Sequence, residues 1–319
     1  MKKQVRIFFY KILLVLLPFI MLFSWIEYQA RRLPNGFALK KENFERVHDS
    51  ISILVLGSSH AMKGINPDFF SCKGFNFSNS SQTLVYDSRL CLKYLGQLPR
   101  LKAVIIDISC ISFFFDLENS PESWKDYFYY HYYAIRVSAI KSFCPEALTY
   151  TALYTKGTIN DMVFGKLNYI HEFGDIQANG WEKTNAPADS VIISEASGQK
   201  RAQFHQSLIH PENFPEIMSN LRVMLKALSK RKISVFFVST PVYKTYSRYL
   251  LPSTEVQNHR IIMDICRKYK ILYYDFSGDC RFIKQDFSDN DHLNSHGAEK
   301  FSRLLDSLFI APLCKSGKQ

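Results

Sequence analysis

The chain has 319 residues, 47% of them hydrophobic and 15% aromatic, with a mean hydropathy of -0.12; that suffices for a packed domain and falls short of a polytopic membrane protein. The net charge of +11 raises nucleic acid as a partner. Residues 1–41 answer it: Lys2, Lys3, Arg6, Lys11, Arg31, Arg32, Lys40 and Lys41 stand there against Glu27 alone, so +7 lies beside an apolar segment and only +4 is spread over the rest, and no nucleic-acid partner is expected.

Residues 7–26, IFFYKILLVLLPFIMLFSWI, are long and apolar enough to cross a lipid bilayer as a helix, with Lys11 near one end able to snorkel. Three basic residues precede the run, which favours a cytoplasmic N-terminus and an extracytoplasmic remainder, although Arg31 and Arg32 weaken the contrast. A cleaved signal peptide is the competing reading. The run exceeds a usual signal core and no small-x-small site follows, so residues 1–30 are expected to be a cytoplasmic tip and an uncleaved anchor. Residues 31–50, RRLPNGFALKKENFERVHDS, are polar with a Pro-Asn-Gly turn signal and are expected to be a linker.

The folded domain is then residues 51–319. ISILVLG (51–57), AVIIDIS (103–109), ISVFFVST (233–240) and ILYYDFS (271–277) are continuous apolar runs, the pattern of strands buried on both faces of a parallel sheet. Helical spacing appears at 83–98, 214–231, 255–270 and 295–309, so strands and helices alternate as in a doubly wound α/β fold, whose functional residues gather at the carboxyl ends of the strands. Residues 110–213 break the alternation and are expected to be an insertion. Its aromatic run, Phe113 to Tyr133, suits core packing, a sugar-stacking platform or a lid at the membrane surface. The seven cysteines are odd in number and contain no CxxC pair, which argues against a disulfide framework.

Two segments carry chemistry. Gly57-Ser58-Ser59-His60 follows the first strand directly, where a sharp turn and a helix N-terminus can expose a serine Oγ and aim backbone N–H groups at an oxyanion; the same letters also suit an ordinary turn. Asp289-Asn290-Asp291-His292 precedes the last helix, and a carboxylate three residues before a histidine can reach its Nδ1 and leave Nε2 free to take a serine proton. Asp291, next to His292, is expected to point away or to cap the following helix. Asp289, Asp291, His292 and His296 could instead be metal ligands, a reading that gives the Gly-Ser-Ser segment no role. His60 and Tyr243, the latter after another strand end, are possible pocket residues.

Together the two blocks resemble the SGNH, or GDSL-type, hydrolase superfamily. LVLGSSH has Ser59 at the nucleophile place and Ser58 where an aspartate usually stands, and Asp289 to His292 runs on into HLNSHGAEKFS. Gly-Ser-Ser, with an N-terminal membrane helix, is similar to the membrane-anchored members that acylate cell-envelope polymers, such as the D-alanine transfer protein of the lipoteichoic acid pathway and alginate-type O-acetyltransferases. The resemblance implies a three-layer, flavodoxin-like α/β fold with a central parallel sheet. It implies an acyl-enzyme on Ser59, His292 as general base, Asp289 as its orienter, and an oxyanion hole from Ser59, Ser78 and Asn79, with no cofactor and no metal. Expected partners are an acylated glycan or acyl donor, a membrane-bound O-acyltransferase, and the bilayer through residues 7–26. No Gly-x-Asn-Asp block follows the second apolar strand, where Ser109 and Ser112 stand instead. The alternative is therefore a catalytically silent glycan-binding or scaffold relative.

Overall fold

Side chains alternate faces along a strand, so an all-apolar strand needs cover on both sides. In the computed structural model, which describes residues 2–32, 35–137, 175–184 and 193–315, this requirement is met by a three-layer α/β fold. Strands β1 (Ile53–Leu56), β2 (Gly74–Asn76) and β3 (Ala103–Asp107) come first. A small ribbon follows, β4 (Asp175–Ile176) and β5 (Glu182–Lys183), and then β6 (Ser234–Ser239) and β7 (Leu272–Asp275). Five of them form one parallel sheet in the order β2-β1-β3-β6-β7, while β4 and β5 pair antiparallel.

Among the described residues, the α-helices of six residues or more are α1 (Lys2–Arg32), α2 (Gly36–Val47), α3 (Ser59–Gly64), α4 (Leu84–Tyr94), α5 (Lys125–Tyr133), α6 (Glu195–Ser207), α7 (Phe214–Lys230), α8 (Pro252–Tyr269) and α9 (Ser295–Leu305). Leu54, Leu56, Val104 and Ile106 pack on one side of the sheet with Leu90 of α4, Leu221 and Leu225 of α7, and Ile262 of α8. Ile53, Val55, Ile105 and Val238 pack on the other with Ala61 of α3 and Phe301 and Leu305 of α9. The chain leaves β1 for β2 on one flank and returns to β3 on the other. The sheet order therefore reverses between β1 and β3, where open α/β sheets have their crevice.

The expected linker is instead part of this domain. Asn35 caps α2 by accepting from the N–H groups of Phe37 and Ala38, and Phe37, Lys40 and Phe44 are buried. Lys40 donates to the Ser78 carbonyl, and burial brings its ammonium down to about 7. Phe37 and Phe44, with Val47 partly buried at the end, anchor α2 from within a largely polar sequence; such a pattern resembles a linker.

Most of the aromatic run is core. Phe113, Phe114, Phe115, Phe128, Tyr129 and Tyr133 are buried, and the Phe37 ring lies 5.4 Å from Phe128 and 5.1 Å from Tyr129. Residues 138–174 and 185–192 of the expected insertion lie outside the described residues. Cys72 and Cys314 form a disulfide with Cα atoms 6.1 Å apart, contrary to the expectation drawn from the odd cysteine count; parity says nothing about one bridge joining distant segments. Within α1, Lys3–Gln29 is long and apolar enough to span a membrane, and Ile26 near its end packs against the domain core.

Candidate active site

β1 is followed by Gly57, whose φ of +140° suits glycine and whose position would bring a Cβ within 2.5 Å of the Asp107 Cβ at the end of β3. That close approach turns the chain sharply. Ser58 is extended, caps α3, and donates its Oγ to Asp107 Oδ2 at 3.3 Å. Ser59 becomes the first residue of α3, where a backbone N–H has no intrahelical acceptor. Burial pushes the Asp107 carboxyl above its ordinary range, despite the opposing charge of nearby His60 and hydrogen bonds from Ser58 and Thr240.

The second loop is closed by a bridge between Phe287 and Leu293, with Ser288 N–H donating to the His292 carbonyl at 2.9 Å. Asp289 Oδ1 accepts from the N–H groups of Asp291 (3.0 Å) and His292 (2.8 Å), which fixes the carboxylate against its own loop. Its Oδ2 then lies 2.8 Å from His292 Nδ1. The other ring nitrogen, Nε2, is 2.8 Å from Ser59 Oγ. Assigning Nδ1–H to the carboxylate leaves Nε2 as the acceptor of the serine proton. Burial raises the Asp289 carboxyl, but attraction to His292 and its hydrogen bonds outweigh this and hold it below its ordinary value.

Asp291 does not point away, and the cap of α9 is Asn294 instead. The Asp291 side chain is 2% exposed; it accepts from Arg201 Nε at 3.2 and 3.0 Å and from His60 Nε2 at 3.1 Å. It also lies 3.8 Å from His292 Nδ1 and 3.9 Å from His205 Nε2. Burial opposes its charge, but His292, His60 and Arg201 together keep it ionised far below the ordinary carboxylate range. For His60 burial is again the largest influence, opposed successfully by the Asp291 bond and charge, so its pKa is raised. His205 is driven the other way, chiefly by burial, to about 3; its Nδ1 is hydrogen-bonded to the Tyr246 hydroxyl at 2.6 Å.

Ser58, Ser59 and His292 line a cavity of about 520 Å³, together with Asn79, Ser109 and Ser112. Its apolar wall includes Phe37, Phe115, Trp124 and Phe204, and its charged groups are Lys63, Lys125, Arg201, Glu122 and Glu182. Three expected site residues lie elsewhere. Ser78 is fully buried and does not line the cavity, and its N–H is donated to Asn76 Oδ1 at 3.0 Å. His60 sits beneath the cavity against Asp291. The Tyr243 ring lies tilted 5.5 Å from that of Phe287, and its N–H donates to the Asn290 carbonyl at 2.9 Å, steadying the histidine loop without lining the cavity.

The suggested metal set does not assemble either: the His296 side chain is 74% exposed and faces Asp286 at 3.5 Å. His60, Asp291 and His292 do place donor atoms within 4.8 Å of one another. Those donors are engaged, since both His292 nitrogens and His60 Nε2 hold the bonds given above. Sequence reasoning missed Asp107 and Arg201. A carboxylate inside the apolar run AVIID was a visible signal; Arg201, within the polar helix α6, gave none.

No family model and no curated protein matches the chain. Among solved structures, one named a "putative acylhydrolase" from Bacteroides fragilis is 11% identical, with 83% of this chain and 87% of that one covered and a TM-score of 0.37. A GDSL-like lipase from Bacteroides thetaiotaomicron is 9% identical, with 87% and 98% covered and a TM-score of 0.39. At such identities and scores neither neighbour carries a functional argument, which rests on the site alone.

Proposed function

We propose that the chain is a membrane-anchored serine esterase or O-acyltransferase of the SGNH pattern, working on an extracytoplasmic acylated glycan or acyl donor through an acyl-enzyme on Ser59. The observation that carries this reading is the continuous relay Asp289–His292–Ser59, with both links at 2.8 Å at the rim of a cavity. Ser59 Oγ attacks the acyl carbonyl while its proton passes to His292 Nε2, and Asp289 stabilises the imidazolium. The Ser59 N–H serves the developing oxyanion, and Asn79, which donates Nδ2 to Gln82 Oε1 at 3.0 Å, lines the same cavity. Collapse expels the alcohol, protonated by His292. Water or an acceptor hydroxyl, deprotonated by the same nitrogen, then attacks the acyl-enzyme and releases Ser59. The apolar α1 and the Cys72–Cys314 disulfide, which needs an oxidising compartment, support the anchored, extracytoplasmic placement.

A silent scaffold or glycan-binding relative, partnering a membrane-bound O-acyltransferase, is the second reading. It is favoured by one observation: the N–H of Ser78 is spent on Asn76. Turnover of 4-nitrophenyl acetate by the full chain in detergent separates the two. The esterase reading predicts hydrolysis that falls by about a thousandfold or more in Ser59→Ala; equal rates for both proteins favour the silent one.

A further inference from the structure

The cations lining the cavity are not equivalent. Lys63 faces Glu182 at 3.9 Å and Lys125 donates to Glu122 at 2.7 Å, each with its own carboxylate. Arg201 shares its carboxylate, since Asp291 also accepts from His60. Both of its bonds leave from Nε, and the amino groups Nη1 and Nη2 have no protein partner among the described residues. The guanidinium is nonetheless held in place. Asp291 clamps its Nε edge from a buried position, the Phe204 ring lies 5.7 Å from Cζ, and α6 is pressed against the Lys244–Ser247 turn at Gly198, where a Cβ would meet the Thr245 carbonyl at 2.0 Å. The side chain is 34% exposed, on the wall that it shares with Ser59 and His292.

We propose that the Nη edge of Arg201 is a subsite for a carboxylate carried by the ester substrate. The inference rests on the ester chemistry proposed above and adds a substrate class to it. A planar fork fixed on one edge and unpartnered on the other matches a planar two-oxygen anion, and the ordering cost is already met by Asp291. The bond from His60 to Asp291 strengthens the case, because the carboxylate that faces Arg201 is shared with a second donor.

The carboxylate could sit on the alcohol or on the acyl side of the ester, and two matched pairs distinguish these. 4-Acetoxybenzoate against its methyl ester tests the alcohol side; 4-nitrophenyl hemisuccinate against its methyl ester tests the acyl side. The wild-type full chain is expected to favour the carboxylate member of one pair by about tenfold or more in kcat/KM, and Arg201→Gln to bring that ratio to about one. A ratio is taken within one preparation, so it does not depend on how much of a variant folds. A wild-type ratio near one in both pairs, or a ratio unchanged in Arg201→Gln, overturns the subsite. Calorimetry of benzoate and succinate with Ser59→Ala separates subsite from chemistry. Binding that disappears in Ser59→Ala/Arg201→Gln supports the subsite even if no ester is turned over, in which case the triad reading alone fails. No binding by Ser59→Ala overturns the subsite and leaves the triad standing.

Discussion

At the scale of single residues, the site depends on how one loop orients two adjacent side chains. Asp289 is held by two backbone N–H groups and so presents a fixed oxygen to His292 Nδ1. Asp289→Asn keeps the shape and favours the wrong tautomer; kcat on 4-nitrophenyl acetate is expected to drop about a thousandfold or more while circular dichroism is unchanged. His60 gives a prediction about pH. Its folded pKa is raised from 6.5, so the stability it contributes is complete below that value and is lost as pH rises through the folded pKa. Thermal unfolding between about pH 6 and about pH 9 should therefore show a decline that His60→Gln reduces; an unaltered decline would reject the pairing with Asp291. Ser59, Asp289 and His292 were legible because each belongs to a short motif with its own spacing. Asp291 was not, since its direction is set by the Phe287–Leu293 bridge. Nor was the loss of Ser78, which follows from a bond to Asn76 made by folding.

At the scale of elements, the strands β1, β3, β6 and β7 and the helices α4, α7, α8 and α9 fall within a few residues of their sequence patterns, because burial on both faces or on one stripe leaves a periodic trace. β2 has only three residues, too few for a pattern. α2 reads as a linker in the sequence because its polar residues outnumber Phe37 and Phe44. The Phe44 ring lies 4.8 Å from both Phe77 and Tyr94 and 5.4 Å from Phe75, so it acts as a core residue. Phe44→Ala is expected to cost about 3–5 kcal/mol in chemical denaturation; a change near zero would return α2 to the status of a linker. The same helix places Gly36 and Phe37 in the cavity wall, linking the segment after α1 to the site.

At the scale of the whole molecule, the disulfide joins positions 242 residues apart, fastening the C-terminal segment to the start of the domain. Cross-linking over so long a span removes many conformations from the unfolded chain. Cys72→Ser is expected to lower stability by about 2–5 kcal/mol, and non-reducing peptide mapping should recover the Cys72 and Cys314 peptides as one species. Free thiols at both positions in protein taken from its native compartment would contradict both the bridge and the proposed placement. Pairing of this kind was invisible in the sequence because the two cysteines meet only when the ends of the domain do. The relay itself depends on the same closure, with Ser59 from the first strand turn and His292 from the last loop.

The central claim is that this closure makes Ser59 a nucleophile, and the direct measurement is labelling of the full chain with a fluorophosphonate followed by mass mapping of the adduct. One phosphonylated residue, Ser59, is expected, with labelling abolished in Ser59→Ala and strongly slowed in His292→Ala. An unlabelled wild-type protein, or an adduct on another residue that persists in Ser59→Ala, would contradict it.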